Sequence, residues 1–432
     1  MQVKALPGFR DFYPEEFALR RHIMDAWRNV ALRYGFEEYD GPPLESLELY
    51  TVKSGEEIVG QLYNFTDKGG RDVALRPEMT PTLARMVAAR ANGLKKPIRW
   101  FSMPQLFRYE RQQRGRLREH FQLNCDLIGE PGPLGDAEII ALAVDVMREV
   151  GLGARDVRVR LSDRRMLTVM LGEMGFEERH HPMAYQLLDK SGRGEDPKLR
   201  AAMLEAGAPE QAIHRLERVK ELRTWGDLEA EYPMAAGAGA PLAQVFAALE
   251  QMGLGDFLDL DCTIVRGLAY YTGTVFELFD AGYSLRAICG GGRYDNLLQA
   301  LGGVDLPALG FGMGDVVLAE LLKERGLVPS YAQRLDVFLA GVTTDDHPYL
   351  PGLAHRLRDA GLRVEFALGA SALGKQLKLA DARGARFAVL IGPDDRARDE
   401  VIVKDLASGA QESVGQAALP SMLRGRLATP TQ

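Results

Sequence analysis

Cysteine is scarce in this chain. Cys125, Cys262 and Cys289 are the three it has in 432 residues, and they lie far apart. They form neither a disulfide framework nor the paired spacing of a zinc site, so no metal ligands are assigned. Long apolar runs are missing too. None approaches the ~18 residues of a membrane span, and the opening MQVKALPGFRDFYPEE has no apolar signal core. The expectation is a cytoplasmic protein with reduced thiols and no membrane contact. Excess positive charge is also absent, the net charge being −7 at pH 7. That excludes a broad basic nucleic-acid surface, so any anionic ligand must be met by locally concentrated arginine. No P-loop, dinucleotide-binding glycine motif, GxSxG or HExxH stands at a usable position. What is present is ordinary for a globular protein: 46% hydrophobic and 26% charged residues. The length allows two or three domains of ~100–200 residues each.

The most informative stretch runs from Pro104 to Gly129. From Leu117 on, side chains alternate. Arg118, His120, Gln122, Asn124 and Asp126 share one side; Leu117, Phe121, Leu123, Cys125 and Leu127 take the other, with Glu119 out of place among them. A period of two is a β-strand. Its apolar side can face a core, while its polar side carries groups that are costly to bury unpaired. Upstream, Leu106–Glu110 reads as the end of a partner strand, with Arg108 and Glu110 pointing the same way. Between the two lies a basic loop, Arg111–Arg116. Such a hairpin can hold a polyphosphate and a small zwitterion side by side, although a solvated polar face gives the same pattern.

Elsewhere the chain alternates helices and strands. Leu19, Ile23, Trp27, Val30 and Ala31 recur at helical spacing before Gly35, a strand Phe36–Tyr39 and Pro42-Pro43. This helix and strand suit a subunit interface or an ordinary edge. Thr51–Arg71 is a glycine- and charge-rich loop. Val73–Leu75 reads as a strand, and Thr80-Pro81 starts a helix with Thr80 as its expected cap. Glu78 and Thr80 then sit on one side of a strand-to-helix passage, where a carboxylate and a hydroxyl suit an ammonium or a ring N–H. Pro133–Val150 is a helix, Leu161–Pro241 a helical insertion, and Gly237–Pro241 its flexible exit. The stretch Asp261–Asp280 is β-rich. The glycines Gly290–Gly292 and the alternating Gly310, Gly312 and Gly314 leave backbone bare, for a ligand or for a tight strand crossing. Asp315 is placed to cap the helix Val316–Leu322. After a linker, Arg325–Arg334, a small α/β domain of ~95 residues fills 335–432, with twelve Lys/Arg and twelve Asp/Glu. The domains are expected at 1–324, with the insertion at about 161–241, and at 335–432.

These pieces resemble a known set. RYERQQRGRLREHFQ is similar to the second signature of class II aminoacyl-tRNA synthetases. RPEMT at Arg76–Thr80, RGLAYY at Arg266–Tyr271, CGGGRYD at Cys289–Asp295 and KSGEEIVGQLYNFTDKGGR resemble segments particular to the histidyl-tRNA synthetase family. The C-terminal domain resembles the anticodon-binding domain that several class II synthetases share. The resemblance covers nearly the whole chain. It implies an α+β catalytic domain on a class II antiparallel sheet, a helical insertion, and a C-terminal α/β anticodon-binding domain. It further implies a homodimer that takes histidine, ATP and tRNA, with Mg2+ carried by the ATP.

The same resemblance assigns roles. Arg108 would clamp the α-phosphate of ATP, with Glu110 and Arg116 at the adenine and outer phosphates and His120 and Phe121 beside the base. Glu78, Thr80, Gln122, Asp126, Tyr271 and Tyr294 would hold the histidine. Arg266 would be the catalytic arginine, touching both substrates. Residue chemistry agrees: in-line attack of a carboxylate on phosphorus needs positioning and charge neutralisation, which the planar, permanently charged arginine supplies. Three departures stand out. Ala269 replaces the family's usual aspartate, Gly310–Leu318 places Val317 where the third signature ends in an arginine stacked on the adenine, and His120, with Phe121 next, holds the position after Arg118-Glu119 where an aromatic often lies against the adenine. They leave open a histidine-binding regulatory subunit of histidine biosynthesis, or a paralogue that activates an amino acid for another acceptor. Against the regulatory subunit stand the C-terminal domain and the retained Arg108, Arg116 and Arg266.

Overall fold

The computed structural model describes residues 4–51, 60–110, 115–190, 196–266, 270–330 and 335–428. The loop stretch at 52–59, the hairpin tip at 111–114, residues 267–269 with the Ala269 departure, and 331–334 of the linker lie outside the described residues. Contacts divide the chain into two compact units, Met1–Pro329 and Ser330–Gln432.

The strands of the first unit, in chain order, are β1 (Glu37–Glu38), β2 (Leu44–Ser46), β3 (Tyr63–Thr66), β4 (Asp72–Leu75), β5 (Ile98–Ser102), β6 (Gln105–Phe107), β7 (Glu119–Ile128), β8 (Val157–Asp163), β9 (Leu258–Leu260), β10 (Thr274–Asp280), β11 (Cys289–Arg293) and β12 (Ala308–Gly314). Its main sheet runs β1-β5-β7-β12-β11-β10-β8-β9, and β6 also pairs with β7. The inner pairs are antiparallel; β1 with β5 and β8 with β9 are parallel. A smaller sheet, β2-β4-β3, stands apart.

One face of the main sheet carries the core. The helix Pro14–Arg33 begins with proline in its first turn, has Glu15 and Glu16 near its positive end, and stops at Tyr34 and Gly35. Its apolar stripe, Leu19, Ile23, Ala26, Trp27, Val30 and Ala31, is buried in this core with the helix Pro133–Glu149 and with Leu123, Cys125 and Leu127 of β7. That corrects one expectation: this stripe serves the chain's own core and is not available to a second subunit.

Helices between Arg164 and Gln251 fill the stretch from β8 to β9. Leu161 belongs to β8 rather than to the helices. Gly237–Pro241 is not a flexible exit, because Pro233–Ala238 and Ala240–Gln251 are consecutive helices there. Gly239 fits between Met166 and Trp225, either of which a Cβ would crowd.

The second unit is a five-stranded sheet. Its strands are β13 (Leu335–Gly341), β14 (Val364–Phe366), β15 (Ala385–Ile391), β16 (Glu400–Asp405) and β17 (Gln411–Gly415), in the order β14-β13-β15-β16-β17. β13 is buried along its whole length, as befits a parallel strand covered on both faces. Leu350, Leu353, Leu357, Leu419 and Leu423 from two helices pack with Val337, Leu339 and Val389. Ala380 packs with Leu335 and Phe338 in a separate cluster.

Glu119, the odd residue of β7, is 1% exposed, and the Nε of Arg10 donates to it over 2.6 Å. Arg10 also donates to Asp315 over 2.9 Å, and the backbone N–H of Phe121 donates to the same carboxylate. Asp315 therefore does not cap its helix, Asp315–Glu324, whose N-cap position is Gly314 with no side-chain bond. One arginine thus joins the N-terminal segment, β7 and that helix. Removing the shared arginine leaves two buried carboxylates uncompensated. Arg10→Ala should therefore lose about 3 kcal/mol or more of unfolding free energy in urea titration. Glu138→Ala, which breaks the half-exposed pair with Arg99, should lose less than about 1 kcal/mol.

Candidate active site

The polar face of the main sheet is paved with glycine. Gly290 and Gly292 of β11 lie opposite Gly312 and Gly310 of β12. Side chains from several segments lie across this bare backbone. A Cβ on Gly290 would fall on the Arg266 guanidinium, and one on Gly310 would meet the Asp126 carboxylate. One on Gly312 would stand 2.7 Å from Gln122, and one on Gly292 3.0 Å from the Tyr271 ring. The glycine alternation visible in the sequence is thus a floor for these four side chains.

Arg266 sits at φ 59°, a conformation that residues with a Cβ seldom adopt. Its Nη1 donates to Glu277 Oε1 over 2.7 Å. Glu277 lies on β10 directly opposite Gly290, and sequence reasoning missed it. Two other acids, Asp261 and Asp295, are engaged elsewhere. Asp261 faces Arg160 at 3.2 Å, and Asp295 faces Arg293 at 3.2 Å. The available signal was an acid, Glu277, in the middle of the apolar strand TVFELFD.

A cleft of about 1060 Å³ opens above the floor, lined by Arg108, Glu110, Arg116, His120, Gln122 and Arg266 among others. Arg108 stands just past the end of β6, and its Nε donates to the Pro77 carbonyl over 3.0 Å, next to the RPEMT segment. Glu110, 7% exposed, pairs with Arg116. Burial, with Arg108 and Arg10 nearby, lowers the His120 pKa to about 3, so its ring is neutral at physiological pH. Phe121 is not beside these residues. The alternation of β7 turns it to the other face, where it meets Phe12 edge-on at 6.3 Å and lies 4.6 Å from the Arg20 guanidinium. Its proposed place against the adenine is corrected accordingly. Val317 does line the cleft, beside Gly115.

Glu78 and Thr80 line a second, very small cavity together with Tyr270. Thr80 is the first residue of the helix Thr80–Arg90 and makes no capping bond; Met79 holds the N-cap position. Arg76 pins this segment from beneath, donating to Asp40 and to the Gly41 carbonyl over 2.7 Å each and to the Gln105 carbonyl over 3.1 Å. Tyr270, another residue missed from sequence, touches Tyr271 at 4.9 Å and Tyr294 at 5.9 Å between ring centres. The Tyr294 hydroxyl donates to Asp126. Burial raises the Asp126 pKa to about 7 although that hydrogen bond opposes the shift. The structure therefore gathers Arg108, Glu110, Arg116, His120, Gln122 and Arg266 in one cleft. Glu78 and Thr80 join the buried Asp126, Tyr271 and Tyr294 through Tyr270.

Arginines lining one cleft beside an antiparallel sheet, with a separate α/β unit following in the chain, are the architecture of a class II aminoacyl-tRNA synthetase. The profile described as Histidyl-tRNA synthetase matches residues 8–315, and that of the Anticodon binding domain matches residues 336–426. The histidine–tRNA ligase of Opitutus terrae is 43% identical, with 99% of each chain covered. The chloroplastic/mitochondrial histidine–tRNA ligase of Arabidopsis thaliana is 41% identical over 96% of this chain and 85% of its own. The crystal structure of histidyl-tRNA synthetase from Nostoc is 26% identical, covers 99% of this chain and 100% of its own, and gives a TM-score of 0.81. The chain belongs to the histidyl-tRNA synthetase family.

The protonation of Asp126 has a measurable sign. Its pKa rises from 3.8 to about 7 on folding, so the native state holds this proton where the unfolded chain has released it. The stability it contributes is complete below about pH 4 and is lost as pH rises towards and through 7. Urea titrations from pH 4.5 to 7.5 should show a downward slope on the order of 1 kcal/mol per pH unit that Asp126→Asn removes. Parallel wild-type and variant curves would contradict it.

Proposed function

We infer that the protein activates histidine with ATP and then transfers it to tRNA. The observation that carries this reading is the convergence of Arg108, Arg116 and Arg266 on one cleft over a glycine floor that also supports Gln122 and Asp126. In the first step a carboxylate oxygen of histidine attacks the α-phosphorus. A P–O bond forms, the bond to the β-phosphate bridge breaks, and pyrophosphate leaves. Arg108 and Arg266 neutralise the charge that builds on the α-phosphate, and Arg116 faces the outer phosphates. In the second step a ribose hydroxyl at the tRNA 3′ end attacks the acyl carbon and AMP leaves. Such chemistry is positioning and electrostatics rather than covalent catalysis by the protein.

Histidine is held by Glu78 and Thr80 at its ammonium or ring N–H, with Gln122, Asp126, Tyr271 and Tyr294 completing a buried polar shell. A site built from such groups rejects side chains that cannot satisfy them. Glu277 holds Arg266 over Gly290 until the phosphate arrives. Magnesium comes with the ATP, since this ion binds mainly through phosphates and one or two carboxylates; Glu110 and Glu277 line the cleft. The second unit engages the anticodon end of the tRNA through placed side chains, its charges being balanced. The three buried thiols suit a reducing cytoplasm. The anticodon-domain match at 336–426 favours the ligase over a histidine-binding regulatory subunit.

The test is histidine-dependent ATP–pyrophosphate exchange, with single-turnover adenylate formation for variants. Arg266→Ala should slow adenylation by on the order of 10²–10³-fold, or ~3–4 kcal/mol of transition-state stabilisation, with a small change in melting temperature. Arg266→Lys should recover part, keeping the charge but losing the planar fork. Normal adenylation in a folded Arg266→Ala protein would make the residue structural.

We also propose a homodimer. Since the apolar stripe of the first helix is committed to the core, the contact is assigned to the β2-β4-β3 sheet and its surroundings. Leu44, Phe65 and Tyr109 are exposed there, and Tyr63 stacks edge-on with Phe9 and Tyr109. Sedimentation at micromolar concentration should give twice the chain mass of 47.7 kDa; a monomer would overturn the proposal.

A further inference from the structure

The cleft is not uniform. Arg108, Arg116 and Arg266 make part of its lining cationic, while Leu117, Leu285, Ala287, Val316 and Val317 make another part apolar. A nucleoside triphosphate has the same division, a flat uncharged base joined to a string of anions. The base belongs in the apolar slot, where water is displaced from both surfaces. Gly115 borders this slot at φ 74°. A Cβ there would lie 3.3 Å from Val317 Cγ2 and 3.8 Å from Arg286 Cδ. The stem of Arg286 and the side chain of Val317 therefore meet at one spot.

Arg286 is held at that spot by its backbone. It belongs to the connection between β10 and β11, and two residues on, the Ile288 carbonyl accepts from the Gly314 N–H over 3.2 Å while the Ile288 N–H donates to the Leu278 carbonyl over 2.8 Å. The connection is thereby tied to the start of the helix that carries Val317. Arg286 itself is exposed at the cleft.

We propose that Arg286 lies over the adenine ring of ATP in the apolar slot beside Val317 and supplies the planar cation that position 317 lacks. A guanidinium suits this place because it is flat, weakly hydrated and attracted to a ring face. The inference rests on the reading of the cleft as the nucleotide site.

The test uses the full-length protein and its Arg286→Ala and Arg286→Lys variants. Affinities for AMP and ATP are measured by equilibrium dialysis, and KM values for ATP and histidine by pyrophosphate exchange. Arg286→Ala should weaken AMP and ATP by the same factor, on the order of tenfold, as the loss of ~1–2 kcal/mol implies at ~1.4 kcal/mol per tenfold. The KM for histidine and the melting temperature should stay put, and the lysine variant should recover less than half of the loss. A loss confined to ATP would place Arg286 on the outer phosphates and overturn the proposal, as would unchanged affinity for both nucleotides. Arg108→Ala and Arg116→Ala separate the two levels. If they weaken ATP binding while Arg286→Ala does not, this inference alone fails. If none of the three matters, the reading of the cleft fails with it.

Discussion

The ion pairs of Arg10 fix what the rest of the catalytic unit depends on. Glu119 and Asp315 are both almost fully buried, and two carboxylates in such a place require a cation between them. Arg10 supplies it from a segment far away in sequence, and the Arg118 N–H donates to the nearby Gly8 carbonyl over 3.0 Å. The start of β7 is thereby anchored on its core face. Since a strand's side chains alternate, the anchor decides that His120, Gln122 and Asp126 look into the site while Phe121, Leu123 and Cys125 do not. A slip of one residue would exchange the two sets completely.

Steric economy on the opposite face does the complementary work. Functional side chains come from β7, from the segment before β10, and from the strand-to-helix turn at Glu78. They can converge only if something beneath them is thin. Glycine at 290, 292, 310 and 312 makes the sheet one backbone thick, and Arg266, Tyr271, Asp126 and Gln122 occupy the space that Cβ atoms would fill. Position 291 faces the other way, where a Cβ would run into Phe311. A glycine run that reads as loose in sequence is therefore among the most tightly packed places in the protein.

Much of this is legible in the sequence, because period-two alternation and glycine spacing are local signals. β7 is visible in its own ten residues, and the α/β pattern of the second unit in its regular succession of apolar strands and helices. What escaped depended on partners distant in sequence. Asp315 has the composition of a helix cap, yet Arg10 claims it. Glu277 is one acid in an apolar strand until β11 pairs beside it and brings Gly290 opposite. Tyr270 gains significance only from Tyr294 across the fold. Phe121 is the sharpest case. Its place in the alternation put it with the core, while the family resemblance put it by the base, and the backbone period prevailed. Gly237–Pro241 failed differently: glycine and proline suggested a loose connection, but proline in a helix's first turn and a glycine filling a tight crossing are compatible with order.

The pairing of β7 with β12 also sets a schedule for synthesis. Asp126 meets its neighbour Gly310 only after the whole stretch 129–307 has been made, including the helices between Arg164 and Gln251. A chain emerging from the ribosome carries the hairpin, with its arginines and its half of the polar row, long before the floor that seats them exists. Contacts of such sequence separation form late and slowly. Until then one edge of β7 lacks its central partner, an unpaired edge that can recruit another strand. The nascent catalytic unit thus stays unable to bind either substrate properly until its last strand arrives, and the long helical stretch must fold without trapping that edge.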